Sequence, residues 1–205
     1  TVFEPVQIDK PVIKPGHVLV KIAATSINTV DTMIRQMGEE LPISPELPAV
    51  LGMDFAGTIQ EVGQGVTEYA VGDEVYGCAG GLGDLPGTLA EYLVADANLI
   101  AHKPKKLTMR EAAALPLTSI TAWEMLFEHL GIKQQTPNAS EKSDEVILVV
   151  GAAGGVGSIL LQLIKTITGA TVIATASRES SVAWVKELGA DHVVDHSTPL
   201  KPQIE

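Results

Sequence analysis

The chain has 205 residues, of which 25 are acidic and 14 basic, so its net charge is −11, and 45% of its residues are hydrophobic. This length and apolar content suit a soluble globular protein with sizeable cores, and the negative charge argues against general binding to nucleic acid or to an anionic membrane. The single cysteine excludes an intramolecular disulfide and indicates a reducing compartment, so we expect a cytoplasmic protein without an export signal or a spanning segment.

Short runs of alternating apolar residues predict an all-β domain in the first half of the chain. The runs cover residues 18–24, 57–62, 73–76 and 89–94. Glycine and proline turns separate them, which is typical of a distorted barrel. The segment from Thr108 to Glu111 has the pattern of a capping box and begins a helical stretch to about Leu130, which Pro116 divides in two. Residues 133–144 are polar without periodicity, and we expect an exposed connection there.

Residues 146–157 indicate a strand that runs into a glycine turn, which we define as residues 151–157. The apolar run predicts a central parallel strand buried on both faces, and the helix that follows is expected over 158–168. The turn has the spacing Ala-x-Gly-x-x-Gly, in which free N–H groups and the helix dipole can hold a pyrophosphate. The predicted cofactor contacts here are Ala152, Gly154, Gly155, Val156 and Gly157. The alternative is a glycine-rich turn that binds no ligand.

The end of the next strand, expected over 170–176, bears on the choice of dinucleotide. An NAD site places Asp or Glu there to bind the ribose 2′-hydroxyl, whereas a 2′-phosphate needs cations and hydroxyls. This chain has Ser177 and Arg178 at that point and no carboxylate, which favours NADPH as the cofactor. The alternative is that Ser177 only caps the helix expected over 179–188 and that Arg178 is a solvated surface residue.

Several further segments carry a family resemblance. They are residues 26–31, 48–57, 71–77, 87–92, 112–116, 121–123, 188–191 and 193–195. In this order they resemble the medium-chain dehydrogenase/reductase superfamily, and within it the zinc-independent quinone oxidoreductase branch of zinc-type alcohol dehydrogenase-like proteins. The resemblance implies an α/β fold with an all-β part: a GroES-like distorted β-barrel domain over residues 1–125, and the first half of a doubly wound Rossmann domain over 126–205.

The same resemblance implies that strands are missing at both ends. The second Rossmann half and the initial strand of the family have no counterpart, and a short parallel sheet would leave an apolar edge open. We therefore expect either a fragment of a longer polypeptide or a partner that covers this edge. Family analogy also suggests a homodimer.

Zinc distinguishes the branches of this superfamily. In its zinc alcohol dehydrogenases a Cys stands at the position of Asn28, a His at that of Met53 and a second Cys near Leu117, so we expect no metal here. His192 and His196 flank a strand, where residues four apart lie about 13 Å from each other, which argues against a shared metal.

Without zinc, the resemblance implies an NADPH-dependent reductase of a quinone, an enone or a related reactive carbonyl, since conjugation spreads the charge that hydride transfer creates. It also implies that Asn28 and Asp31 are catalytic residues that line the cleft near the nicotinamide, and that Thr121 contacts the cofactor. The alternatives are that Asn28 only tolerates an unusual backbone angle and that Asp31 only caps the following helical turn. Met33 stands where bacterial quinone reductases tend to carry a tyrosine.

Two other functions are considered. The alternative function is that of a non-enzymatic NADPH-binding member of the same fold, which is structural and crystallin-like or regulatory. A zinc alcohol dehydrogenase is the third possibility.

Overall fold

The computed structural model describes residues 4–40, 42–45, 49–135 and 143–204. The chain divides into two compact units, Thr1–Leu117 and Thr118–Glu205, and each has its own hydrophobic core. The domain boundary predicted after residue 125 stays a prediction. Most of the connection predicted over 133–144 lies outside the described residues. None of the helices in these ranges combines the length and the apolar character that crossing a membrane requires.

In the described part of the first unit, five antiparallel strands form one sheet. They are β1 (His17–Thr25), β2 (Asp54–Val62), β3 (Glu74–Cys78), β4 (Tyr92–Asp96) and β5 (Ile100–His102), in the spatial order β4-β1-β2-β3-β5. Val20 of β1 pairs with Ile59 on one side and with Leu93 on the other, and all three side chains are buried. The four predicted strands are confirmed with shifted bounds, whereas β5 was not predicted.

Three helices precede β6 in the described residues. They are α1 (Thr29–Met37), which a 3-10 turn (Gly38–Glu40) extends, α2 (Met109–Ala113), which packs on this sheet, and α3 (Pro116–Trp123), which a π-helical stretch (Glu124–His129) continues and most of which belongs to the second unit. The predicted capping box is confirmed, because the Thr108 N–H donates to Glu111 Oε2 (2.8 Å) and the Glu111 N–H donates to Thr108 Oγ1 (3.3 Å). The predicted break is also confirmed: α3 begins at Pro116, where proline's missing N–H is not needed.

The second unit contains, in its described residues, a parallel sheet of three strands. They are β6 (Val146–Val149), β7 (Thr171–Thr175) and β8 (His192–Val194), in the order β6-β7-β8. The helices are α4 (Gly155–Ile167), α5 (Glu179–Glu187) and α6 (Lys201–Ile204). Leu161 and Ile164 of α4 pack with Val172 of β7 and Val185 of α5 in the core. This is the predicted strand, turn and helix succession of a nucleotide-binding unit.

Two expectations for this unit are wrong. β6 is not buried on both faces: among the described residues it pairs with β7 alone, and Val146 and Leu148 are 61% and 40% exposed. An apolar run does not distinguish a central strand from an edge strand, because that depends on which chain segments flank it. Helix α4 also begins at Gly155 rather than at Ser158, since the glycines themselves form its N-cap and first turn.

Candidate functional site

The glycine turn connects β6 to α4 in the second unit. Gly151 has a φ of +67°, a left-handed conformation that favours glycine, and its N–H donates to Thr175 Oγ1 at the end of β7 (2.9 Å). A Cβ on Gly157 would lie 2.6 Å from both the Ala152 Cα and the Gly151 carbonyl oxygen. Backbone is therefore packed against backbone at this point, and only glycine fits. Gly151 was not among the predicted site residues, although its identity at the end of an apolar strand was a usable signal.

The first turn of α4 is open to an anion. Gly154 is the N-cap and is exposed, and its carbonyl accepts the N–H of Ser158 (2.8 Å). The N–H groups of Gly155, Val156 and Gly157 come before that of Ser158, the first N–H with an acceptor in the helix, so the helix itself cannot satisfy them. Together with the dipole of a 13-residue helix they can bind a phosphate group. Ala152, also a predicted contact, is fully buried beneath the turn.

Ser177 and Arg178 are exposed directly after β7. The N-cap of α5 is Arg178, and its carbonyl accepts the Val182 N–H (2.9 Å). The interpretation that Ser177 caps this helix is therefore wrong. Instead, Ser177 Oγ lies 3.4 Å from Nε2 of His196, which follows β8. The carboxyl ends of adjacent parallel strands meet at one edge of a sheet, which brings these two residues together.

Thr121 lies on α3, in the part of that helix that belongs to the second unit. Its side chain is half-buried, next to the fully buried Ala122. The proposed cofactor contact of Thr121 stays a prediction.

The first unit contains a buried polar cluster around Asp54, the first residue of β2, which is 0% exposed. Asp54 Oδ2 accepts hydrogen bonds from Ser26 Oγ (3.0 Å) and from Asn28 Nδ2 (2.9 Å). Asp54 Oδ1 accepts the backbone N–H of Leu117 (3.0 Å) at the start of α3. The Cys78 thiol at the end of β3 donates to the same carboxyl group. We call these five residues the Asp54 cluster.

Electrostatics in the Asp54 cluster follow from its burial. Burial raises the pKa of Asp54 above the usual aspartate range, and the hydrogen bonds from Asn28, Ser26, Leu117 and Cys78 partly offset that rise. For Cys78, burial and the negative charge of Asp54 and Asp31 raise the pKa of the thiol to about 12. The thiol is therefore protonated at neutral pH and is a donor rather than a nucleophile.

Asn28 is the N-cap of α1, and Asp31 is the third residue of this helix. The Asn28 N–H donates to Asp31 Oδ2 (2.7 Å), and the Asp31 N–H donates to the Asn28 carbonyl (3.1 Å). Asn28 has a φ of −104°, so the interpretation that it tolerates an unusual backbone angle is wrong. Asp31 does cap the helix, but only with one oxygen. Its side chain is 4% exposed, and Oδ1 has no hydrogen-bond partner among the described residues.

The donor atoms of this region do not suit zinc. An amide from Asn28 and a thioether from the buried Met53 stand at two of the three positions compared above, whereas zinc takes thiolate, imidazole or carboxylate ligands. Over the described ranges, no group of three or more His, Cys, Asp or Glu side chains is placed to hold a metal ion.

Two family models match the chain. The alcohol dehydrogenase GroES-like domain matches residues 14–105, and the zinc-binding dehydrogenase family matches residues 155–205. The first match includes the whole five-stranded sheet, and the second begins at the first residue of α4. The predicted fold class, a GroES-like domain followed by part of a nucleotide-binding domain, is confirmed.

Curated relatives are similar over nearly the whole chain. A zinc-type alcohol dehydrogenase-like protein of Staphylococcus epidermidis is 37% identical over 203 residues, which are 99% of this chain and 57% of that protein. The 2-methylene-furan-3-one reductase of Solanum lycopersicum is 41% identical over 191 residues, which are 91% of this chain and 46% of the reductase. The chain thus spans about half the length of the curated relatives it matches.

Solved structures agree with this. An alcohol dehydrogenase superfamily protein from Novosphingobium aromaticivorans has a TM-score of 0.84 at 41% identity, covering 97% of this chain and 56% of that one. The quinone oxidoreductase from Coxiella burnetii has a TM-score of 0.79 at 32% identity, covering 98% and 60%. A mycobacterial protein complexed with NADPH has a TM-score of 0.76 at 32% identity, covering 96% and 56%.

Proposed function

Because the chain belongs to the medium-chain dehydrogenase/reductase superfamily, we propose that it serves in hydride transfer from NADPH to a quinone, an enone or a related reactive carbonyl, without zinc. The observation that carries this proposal is the glycine turn, in which Gly157 packs against the backbone of Gly151 and Ala152 and the first N–H groups of α4 have no acceptor within the helix.

The residues of the second unit fit a dinucleotide. The N–H groups of Gly155, Val156 and Gly157 would hold the pyrophosphate, and Thr121 is proposed as a further contact. When bound, the nicotinamide supplies the hydride, and the protein orients it and excludes water. A Cβ at Gly157 would displace the backbone of the glycine turn and with it these N–H groups.

The preference for NADPH rests on the end of β7. Ser177 and Arg178 are exposed there, and a hydroxyl and a guanidinium are the groups that recognise a 2′-phosphate. No carboxylate occupies residues 174–178 to bind a free 2′-hydroxyl. The NADPH complex of the mycobacterial neighbour supports the same choice.

The acceptor class rests on the chemistry of the first unit. A reaction without a metal needs an acceptor that delocalises negative charge by itself, as a quinone or an enone does. 2-Methylene-furan-3-one contains a carbonyl conjugated with a carbon–carbon double bond, so the named activity of the Solanum relative is of this kind. In our proposal Asn28 and Asp31 act near the nicotinamide, and the unpartnered Asp31 Oδ1 is an acceptor for a donor on the bound molecules.

We also propose that the protein is located in the cytoplasm and that it forms a homodimer.

The test begins with binding. The 205-residue chain is titrated with NADPH and with NADH, and Arg178→Glu is compared with Arg110→Glu, the same substitution at an exposed arginine on α2. Loss of a charge-assisted hydrogen bond to the 2′-phosphate should weaken NADPH binding by about 10- to 100-fold in Arg178→Glu alone. NADH binding should not weaken, because NADH has no 2′-phosphate and a carboxylate at this point can accept its 2′-hydroxyl.

Turnover is measured next, as oxidation of NADPH by a quinone, by an enone and by a simple aldehyde. We expect oxidation with the two conjugated acceptors only. NADPH binding without turnover on any acceptor would overturn the reductase proposal in favour of a non-enzymatic NADPH-binding role. Stoichiometric zinc in elemental analysis would overturn the zinc-independent mechanism.

A further inference from the structure

Asp54 connects four parts of the first unit through one buried carboxyl group. Its hydrogen-bond partners come from the segment after β1, the N-cap of α1, the end of β3 and the start of α3. Every one of these partners donates, which is the pattern an ionised carboxylate accepts. The main-chain carbonyl of Asp54 also accepts the Thr25 hydroxyl at the end of β1 (2.7 Å), so the backbone of β2 is fixed at the same residue.

We propose that Asp54 is the positioning residue of the reductase, and that its carboxylate fixes the Asn28 amide and the start of α3 in one arrangement. This inference rests on the proposed function, because it concerns the residues that the hydride transfer would use. Asp54 touches neither substrate nor cofactor in this proposal, since its side chain is 0% exposed. It acts through Asn28 and through Leu117.

The first half of the argument concerns Asn28. Its side-chain nitrogen donates to Asp54 Oδ2 at 2.9 Å and reaches Ser26 Oγ at 3.5 Å, and its backbone N–H donates to Asp31 Oδ2 at 2.7 Å. A half-buried amide bound on both its backbone and its side chain has one orientation. Without the Asp54 oxygen, the Asn28 nitrogen would lose its shortest side-chain bond and the amide would be free to turn.

The second half concerns α3. Its first residue, Pro116, has no N–H, so the N–H of Leu117 is the first donor that this helix offers. Asp54 Oδ1 accepts that N–H at 3.0 Å and places a negative charge at the positive end of the helix dipole. Within the first unit, one carboxylate thus holds both a proposed catalytic residue and the first N–H donor of α3.

The main variant is Asp54→Asn. It keeps the shape of the side chain but replaces one carboxylate oxygen, which accepts hydrogen bonds, with an NH₂ group, which donates them. Asp73→Asn is the matched control, because Asp73 also accepts a backbone N–H, that of Ala70 (2.8 Å), beside the same sheet but away from the Asp54 cluster. We expect Asp54→Asn to lower kcat by up to about 100-fold, the cost of a misplacement near 1 Å, with a change in KM of less than about threefold. Asp73→Asn should change neither constant.

Cys78 supplies a readout that does not need turnover. It is the only cysteine of the chain, so thiol alkylation reports on the Asp54 cluster alone. Since the charge of Asp54 helps to keep this thiol protonated, Asp54→Asn should speed alkylation of Cys78 several-fold at alkaline pH. Asp73→Asn should leave the alkylation rate unchanged, and urea unfolding curves show whether each variant is folded.

The outcomes separate the two proposals. Turnover by the unsubstituted chain decides the proposed function, and the ratio of variant to unsubstituted kcat decides the role of Asp54. If the chain turns over but Asp54→Asn keeps its kcat, or loses kcat and gains KM in equal proportion, the positioning role is overturned and the reductase stands. If the unsubstituted chain does not turn over, both are overturned.

A second variant keeps the test decisive if Asp54→Asn does not fold. Ser26→Ala removes one donor to Asp54 Oδ2 from a half-buried position and leaves the carboxylate in place. We expect a smaller fall in kcat, about 3- to 10-fold for one lost hydrogen bond, again with KM unchanged. An unchanged kcat in a folded Ser26→Ala chain would count against the proposal.

Discussion

Replacing Gly157 with alanine should damage the glycine turn more than the helix that follows it. The new Cβ would lie 2.6 to 2.7 Å from three backbone atoms of Gly151 and Ala152, so the turn must move by about 0.8 Å to restore an ordinary contact. Overpacking of this kind costs about 1 to 3 kcal/mol, whereas alanine in place of glycine within a helix gains about 1 kcal/mol. The expected loss of unfolding free energy is therefore about 0 to 2 kcal/mol.

Cofactor binding should respond more strongly than stability. A shift of this size takes at least one N–H of α4 out of reach of a phosphate oxygen, which corresponds to about 10- to 100-fold weaker NADPH binding. Urea unfolding and NADPH titration measure the two quantities on the same preparation. Gly155→Ala is the comparison variant within the same site: it keeps the N–H, and its Cβ would meet only the Thr118 side-chain methyl, at 3.1 Å, rather than backbone. If Gly157→Ala binds NADPH as tightly as Gly155→Ala does, the backbone packing is not what shapes the site.

Three further predictions concern charged groups, each read from urea unfolding. Asp191→Ala should lower the free energy of unfolding by about 1 to 3 kcal/mol, because Asp191 Oδ2 accepts a buried N–H on β7 (2.8 Å). Lys165→Met removes only the half-exposed ion pair with Asp191 (2.9 Å) and should lower it by about 0 to 1 kcal/mol. Equal losses in the two variants would contradict this prediction. Burial raises the pKa of Asp54 in the folded chain, so its contribution to stability is present below the usual aspartate pKa and is lost as the pH rises through the raised value. Asp54→Asn has no group that titrates here, so its stability should not show this decrease with rising pH. The Thr108 N–H holds the pKa of Glu111 below its usual value, so the contribution of Glu111 to stability is lost as the pH falls. Glu111→Gln should therefore change the pH dependence of stability with a sign opposite to that of Asp54→Asn. The same sign in both variants would refute these two pKa directions.

Local signals in the sequence predicted the elements that depend on neighbouring residues. The capping box at Thr108, the helix start at Pro116 and the succession of strand, glycine turn and helix are each set within a few positions, and all three are confirmed. The start of α4 was placed three residues late, because glycines are poor formers of a helix interior but are tolerated at its N-terminus.

The Asp54 cluster shows what the sequence did not reveal. Its members lie at positions 26, 28, 54, 78 and 117, and nothing in their spacing indicates contact. The pairing of β2 with β1 and β3 and the position of the start of α3 bring them together. The one available signal was a carboxylate inside the apolar run that begins β2, where an unpaired charge would be costly. The edge position of β6 likewise depends on flanking chain segments rather than on its own residues.

The two sheets differ in the sequence separation between paired strands. This difference affects the order in which the sheets form. In the second unit each strand pairs with the next one along the chain, β6 with β7 and β7 with β8. In the first unit His17 of β1 pairs with Asp96 of β4, across most of that unit. Closing so long a loop costs entropy before any contact rewards it, so sheets with distant partners assemble slowly. The parallel sheet should therefore form early during refolding, and the closing of β4 onto β1 should set the pace of the whole chain.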